Sequence, residues 1–234
     1  MRRRGGARPW REGRYLVVDL ETTGLDARRA EIISFGAVPV DHGRVQVGAA
    51  LHGLVRPRRP PPGETVRIHG LREADLAAAP PAREALRPLR VALHGRVAVA
   101  HAAWFDGAFL RRQEGLWRRI VRRRWIDTIV LARLLTTLRE EPPPKPLTLP
   151  SLAAWIGVPP GPSHDALGDA FTTAQAFVAL ATLLDAERTQ TVGSLLDARA
   201  ILRAERRARP PLEAAPSDAP AAETPPPEAA PPTA

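Results

Sequence analysis

Asp19 and Glu21 stand two residues apart in VVDLETTG (residues 17–24), a run that otherwise reads as a buried strand. Alternate side chains of a strand share a face, so the two carboxylates point the same way, about 6.5 Å apart, while Val18 and Leu20 point opposite. Ionised carboxylates side by side in a low dielectric repel, and a bound cation lowers their pKa values and offsets their desolvation. A polar turn opened by Glu21 and Thr22 and closed by Gly24 would leave Asp19 unexplained, whereas metal binding accounts for both acids.

Two further segments carry acids in suggestive places. In HAAWFD (101–106), His101 ends an apolar run and Asp106 falls in the first turn of a helix, where an acid also stabilises the helix N-terminus. In HDALGDA (164–170), Asp169 lies among Ala166, Leu167, Ala170 and Phe171 on a largely apolar helix. A buried, unpaired carboxylate there is costly, so a partner is implied. Asp165, at the start of that helix, reads as a cap and is left out of the catalytic set. On one regular helix His164 and Asp169 would lie about 140° apart, so both face one site only if His164 sits in the lead-in loop. The spacing H-x-x-x-x-D occurs at His101/Asp106 and again at His164/Asp169, and spacing leaves open which imidazole is a base. Asp19, Glu21, Asp106 and Asp169 together form a hard-oxygen set suited to Mg²⁺ or Mn²⁺.

The elements that must position these groups follow from periodicity. RYLVVDLE, EIISFGAVPV and RVQVGAALHGLV read as three consecutive, antiparallel strands, with Asp41-His42-Gly43 as the turn between the last two. PRRPPPG (57–63) breaks the pattern; a helix over 82–93, bent or divided by Pro88, and a fourth strand over 96–101 follow. Helices are expected over 104–114, 128–138, 151–155, 165–184 and 194–207, with a short strand at 125–127 and a loop at 141–146. Strands that meander and then alternate with helices indicate an α/β fold with a mixed five-stranded sheet flanked by helices.

The chain has 234 residues with 44% hydrophobic content, enough for one substantial core. It contains no cysteine, which excludes disulfides, thiolate metal sites and a cysteine nucleophile. Residues 1–12 read as a basic flexible N-terminus and 13–209 as the catalytic domain. Residues 210–234, with nine prolines, four acids and no base, read as a disordered Pro/Ala/Glu-rich tail. The net charge is +9, and without the tail's acids residues 1–209 carry +13, which favours a polyanionic partner. The basic start lacks an apolar core, and no run is expected to reach the roughly 18 apolar residues of a membrane span, so a cytoplasmic protein without membrane contact is expected.

DLETTG, HAAWFD and HDALGDA, in this order, resemble the three exonuclease motifs of the DnaQ-like, DEDDh-type 3′-5′ exonucleases, a family that includes the proofreading epsilon subunit of bacterial DNA polymerase III. The similarity spans about residues 13–184 and takes in RIHGL (67–71), which looks like the family's HGI-type segment, and IDT (126–128). The resemblance implies a ribonuclease H-like fold, two divalent ions, and release of nucleoside 5′-monophosphates from a 3′ end. Carried over by position, it implies that Asp19, Glu21, Asp106 and Asp169 bind metal and that His164 activates the attacking water, leaving His101 structural. It also places Thr22 and Thr23 at the terminal nucleotide's sugar, as substrate-binding residues. In one departure, the family commonly has Asn after the second-motif histidine, where this chain has Ala102, with bulky Trp104 close by.

Single-stranded DNA or RNA 3′ ends are the expected partners, DNA first, in proofreading, repair or turnover, with a polymerase as a possible further partner. An exoribonuclease or oligonucleotide hydrolase is the alternative. Residues 111–124, with seven arginines around Trp117, are suited to a phosphate backbone or to a solvated helix face. A non-catalytic nucleic-acid-binding module would be expected to lack metal ligands, yet all four acids and His164 are present.

Overall fold

A computed structural model of the chain describes residues 8–113, 125–159, 161 and 164–208. The expected tail and most of the arginine-rich run at 111–124 lie outside the described residues.

Strand β1 (Arg14–Thr22) pairs antiparallel with β2 (Ile32–Asp41), and β3 (Arg44–Val45) and β4 (Leu51–Leu54) both pair with the outer edge of β2. On its other side β1 continues in parallel to β5 (Val97–Ala100) and then β6 (Ile126–Asp127). The sheet is mixed, as expected, but its six strands occupy five positions, because the third apolar run divides into β3 and β4. A 3₁₀ turn at Val47–Ala49 separates them, where Gly48, Ala49 and Ala50 have little β propensity. The hairpin between β2 and β3 turns at His42 (φ 53°) and Gly43 (φ 67°), the two positive φ values that a two-residue hairpin of this hand requires.

Ten helical segments cover or extend the sheet: α1 (Gly63–His69), α2 (Glu73–Leu76), α3 (Ala82–Ala85), α4 (Arg87–Leu93), α5 (Trp104–Arg111), α6 (Thr128–Arg139), α7 (Leu149–Trp155), α8 (Ala166–Glu187), α9 (Val192–Leu196) and α10 (Ala198–Ala208), counted among the described residues. The first two follow PRRPPPG, where periodicity pointed to no helix. The expected 82–93 helix is divided at Leu86, and Pro88 occupies the first turn of α4, where its missing N–H costs nothing.

Alternation along β1 sorts the core into two faces. Tyr15 and Val17 pack with Val38, Val40 and the α8 residues Ala170, Ala174, Phe177 and Ala181. Leu16, Val18 and Leu20 pack with Phe35, with Leu89 and Leu93 of α4, and with Phe109 and Leu110 of α5. Asp19 and Glu21 have the parity of Tyr15 and Val17, so the sheet's pleat directs them to the α8 face.

Two sequence expectations are corrected here. Residues 8–12 belong to the folded domain: Trp10 is 1% exposed and meets Phe177 edge-on at 6.3 Å. Main-chain bonds from Trp10 N–H to Gln190 O (3.2 Å) and from Val192 N–H to Arg8 O (2.9 Å) hold the segment beside α9. An indole carries too much apolar surface to stay in water when such a pocket exists. The second correction concerns α8, whose 22 residues are long and apolar enough to cross a membrane, with a mean hydropathy of 1.4. It is instead a core helix, with Ala170, Ala174, Phe177, Ala181 and Leu184 fully buried against the sheet and its neighbours.

One ion pair joins three strands near the end of the sheet remote from Glu21. Arg96, just before β5, donates to both Asp41 carboxylate oxygens (2.6 and 2.9 Å) and to Tyr15 O (3.1 Å). Its side chain is 13% exposed, so truncation leaves Asp41 and a carbonyl with less water than they need. Arg96→Ala should lower the unfolding free energy by about 2–3 kcal/mol, measured by urea denaturation.

Candidate active site

β1, β5 and β6 run parallel, and their carboxyl ends share one edge of the sheet, the position where open α/β sheets place ligands. Asp19 and Glu21 project from the end of β1, and a register slip between Glu21 and Thr22 bends the strand just beyond them. β5 ends at Ala100, and α5 starts three residues after His101, so Asp106 lies in its first turn. Asp169 comes from the first turn of α8.

The approach of α8 depends on Gly36. This residue lies directly opposite Asp19 in the β1–β2 ladder. A Cβ built on it would stand 2.0 Å from Ala166 O and 2.5 Å from Leu167 N. The first turn of α8 therefore rests on bare β2 backbone, and that contact brings Asp169 to the acids of β1. Carboxylate oxygens of Asp19, Glu21 and Asp169 all lie within 4.8 Å of one another. Asp106, 3% exposed, is outside this triplet, but its charge is felt by Asp19.

Asp165 caps α8 by accepting from Gly168 N–H (2.7 Å). His164 sits before the cap with φ 60°, in the lead-in loop, and its main-chain N–H donates to Asp169 Oδ2 (2.9 Å). Its imidazole is exposed. His69, in RIHGL, comes within electrostatic reach of His164, and burial followed by that neighbour lowers its pKa. His101 is fixed differently, with Nδ1 2.9 Å from Thr128 Oγ1 at the start of α6. Thr22 Oγ1 donates to Gly24 O (2.8 Å) and Thr23 Oγ1 accepts from Glu31 N–H (2.9 Å), so both hydroxyls hold the turn after β1.

The acids perturb one another strongly. Burial, then the charges of Asp106, Asp169 and Glu21, push Asp19 well above the usual carboxylate range. Burial, then Asp169, pushes Glu21 up to about 7, and burial pushes Asp106 up to about 8. Burial also raises Asp169, against the opposing effect of the His164 N–H. Among the described residues none of the four forms an ion pair with arginine or lysine. Oxygen donors alone, closely spaced, partly buried and without a protein cation, suit a hard divalent ion.

The RNase T exonuclease family model matches residues 16–177. The chain belongs to this exonuclease family. A DNA polymerase III subunit epsilon-like protein of Rhodobacter capsulatus is 36% identical over 185 residues, 78% of this chain and 26% of that protein. A PolC-type DNA polymerase III of Thermotoga maritima is 36% identical over 169 residues, 70% of this chain and 12% of that protein. The chain thus spans about a quarter or less of the length of these curated relatives. Among solved structures, exonuclease X in complex with 5′ overhanging duplex DNA superposes with a TM-score of 0.59 at 26% identity, covering 78% of this chain and 99% of that one. The exonuclease domain has the ribonuclease H-like fold that the motifs implied.

Ala102, where the motif commonly has Asn, adopts φ 57°. Asn enters this left-handed region more readily than Ala. This chain therefore bears backbone strain at Ala102. Sequence reading left Gly36 unremarked, since one glycine in a strand signals only a bulge or a close approach. It also took Asp127 only as part of IDT. Asp127 is 5% exposed, caps α6 through Ile129 N–H (3.0 Å), and pairs with Arg199 of α10 at 2.9 Å. Its charge reaches Asp106 and His101, so a helix beyond the family match balances an acid beneath the site.

Gly36→Val should push α8 off β2. We expect at least a ten-fold loss of nuclease activity together with about 1–3 kcal/mol of stability, measured by turnover and by thermal unfolding of the same preparation.

The raised carboxyl pKa values also predict a pH effect. The folded, metal-free protein holds protons that the unfolded chain releases near pH 4, so its stability should fall as pH rises from about 4 toward 8. Mg²⁺ should reverse the fall at the upper end, because deprotonated acids bind it. Melting curves from pH 5 to 9, with EDTA or Mg²⁺, read both trends.

Proposed function

We propose that this chain is a metal-dependent 3′-5′ exonuclease that hydrolyses the last phosphodiester bond at a nucleic-acid 3′ end and releases a nucleoside 5′-monophosphate. The observation that carries the reading is the meeting of Asp19, Glu21 and Asp169 within 4.8 Å, with His164 at the edge of the cluster. Asp19, Glu21, Asp106 and Asp169 hold two divalent ions, Mg²⁺ or Mn²⁺. When bound, the ions supply Lewis-acid activation of water and stabilise charge on the leaving 3′ oxygen. His164 accepts the proton of the attacking water through its exposed imidazole. Water oxygen bonds to phosphorus, the bond from phosphorus to the 3′ oxygen breaks, and that oxygen takes a proton from solvent, so the shortened strand ends in a 3′-hydroxyl. The main chain at Thr22 and Thr23 contacts the terminal sugar.

DNA is the proposed polymer. Both curated relatives are named as DNA polymerase III proteins, and exonuclease X was solved with duplex DNA. Association with a polymerase is part of the same proposal and rests on those names.

The test uses 3′- and 5′-labelled DNA and RNA with Mg²⁺, Mn²⁺ or EDTA, and closed circular single-stranded DNA as a substrate without ends. We expect stepwise shortening of linear DNA from the 3′ end, none in EDTA, and an intact circle. Asp19→Ala should abolish turnover. His164→Ala should lower it 10²–10⁴-fold with metal affinity kept, since Asp169 is bound by the main-chain N–H of residue 164. Cleavage of the circle, or activity that survives EDTA, would overturn the mechanism; faster digestion of RNA would reassign the polymer.

A further inference from the structure

A strongly basic groove adjoins the carboxylate site. After β1 the chain turns through residues 24–31, and Thr23 N–H donates to Glu31 O (2.9 Å) while Glu31 N–H donates to Thr23 Oγ1 (2.9 Å). Glu31 thus faces a residue only two beyond Glu21. It also lines a cavity of about 660 Å³ built from this turn, the segment after β4, the α3–α4 region and the end of α5.

Each of these segments contributes arginine. Arg28, Arg56, Arg83, Arg90 and Arg112 line the cavity, and none has a carboxylate partner among the described residues. Two are braced by main-chain oxygens without being neutralised: Arg56 Nη1 to Ala77 O (3.5 Å) and Arg112 Nη2 to Arg28 O (3.4 Å). Arg29 and Arg58 line it too, and Arg58 occupies Glu31, the sole carboxylate of the lining among the described residues, through Oε1 (2.7 Å) and Oε2 (2.9 Å). So many guanidinium groups around one space repel one another unless a polyanion enters, and arginine matches phosphate in a two-pronged geometry.

The lining also indicates how such a polyanion is read. Among the described residues its one aromatic side chain is Phe109, which is 2% exposed and packed in the core, so none of them offers a ring to a base. Grooves that hold single strands by their bases combine charge with exposed rings; the described lining of this one offers charge alone, which suits backbone contact independent of sequence. Asp106 and Arg112 are six residues apart at the two ends of α5, about 9 Å along the helix axis. At about 3.4 Å per nucleotide of a stacked strand, that separation corresponds to roughly three nucleotides.

We propose that this arginine groove is a second nucleic-acid contact, gripping backbone phosphates about three nucleotides from the end being cut. The proposal rests on the exonuclease reading. The phosphates belong to the cut strand or to its complement; the chemistry is the same, and single-stranded and duplex substrates separate the two.

The test compares wild type, Arg28→Ala/Arg83→Ala/Arg90→Ala, and the same triple change to Lys. Fluorescent single strands of 3 and 12 nucleotides, and a 12-base-pair duplex, are titrated in EDTA at several salt concentrations. For the Ala variant we expect Kd to rise at least ten-fold on the 12-mer, the duplex, or both, with little change on the 3-mer. The slope of log Kd against log salt should flatten by about 2, near 0.7 for each single-strand phosphate no longer neutralised. Lys should restore most of the affinity. A 12-mer and a duplex bound as in wild type, or a Lys variant as weak as the Ala variant, would overturn the groove, the former being also the outcome if its occupant is an acidic protein. Hydrolysis of the p-nitrophenyl ester of thymidine 5′-monophosphate and of the labelled 12-mer by wild type in Mg²⁺ is read separately. If both fail, the exonuclease reading fails; if they succeed and the variants bind like wild type, only the groove does.

Discussion

Carboxylates gathered at one partly buried place repel one another, and most of the architecture around the site serves to hold them there. Each of Asp19, Glu21, Asp106 and Asp169 has a raised pKa, and burial leads the causes in every case. Such a cluster lowers the stability of the metal-free protein and prepares it to bind cations. The opposing free energy comes from apolar contact elsewhere: Tyr15 and Val17 against Phe177 on one face of β1, and Leu16 and Val18 against α4 and α5 on the other. The strand that carries the first two acids is thus among the most deeply buried segments of the chain.

Local devices set the remaining acids. Asp165 terminates α8 with its own side chain and so orients the first turn that bears Asp169, while the His164 amide takes one Asp169 oxygen. Asp127, also buried, would add to the repulsion on Asp106, and Arg199 from α10 offsets it. Positive φ at His164 and at Ala102 falls in the two loops that lead into acid-bearing helices, where surrounding contacts hold a conformation that the residues themselves disfavour.

Positive charge is distributed with the opposite logic. Arg96 and Arg199 neutralise specific acids, whereas the arginines of the groove beyond Glu31 have little acid to meet. The acidic cluster and the basic groove lie side by side, joined through the Thr23–Glu31 pair. A net positive chain with a concentrated negative centre suits a polyanion whose backbone is held by arginine and whose scissile phosphate needs cations as intermediaries.

Strand parity for Asp19 and Glu21, the loop position of His164 and the capping role of Asp165 were all legible in the sequence, because each depends on the fixed period of a strand or on one helix terminus. Three ordered motifs were enough to point to the family and its fold. The same reading misjudged residues 8–12, where a single tryptophan outweighs a run of arginines once a pocket exists for it, and, although it placed a helix over 165–184, it missed that this helix is long and apolar enough to pass for a membrane span. It took the folded chain to bring out that bare backbone at Gly36 admits α8, that Arg199 answers Asp127 from 72 residues away, and that arginines from four separate segments line one cavity. These depend on contacts between segments remote in the chain, and no local periodicity encodes such distances.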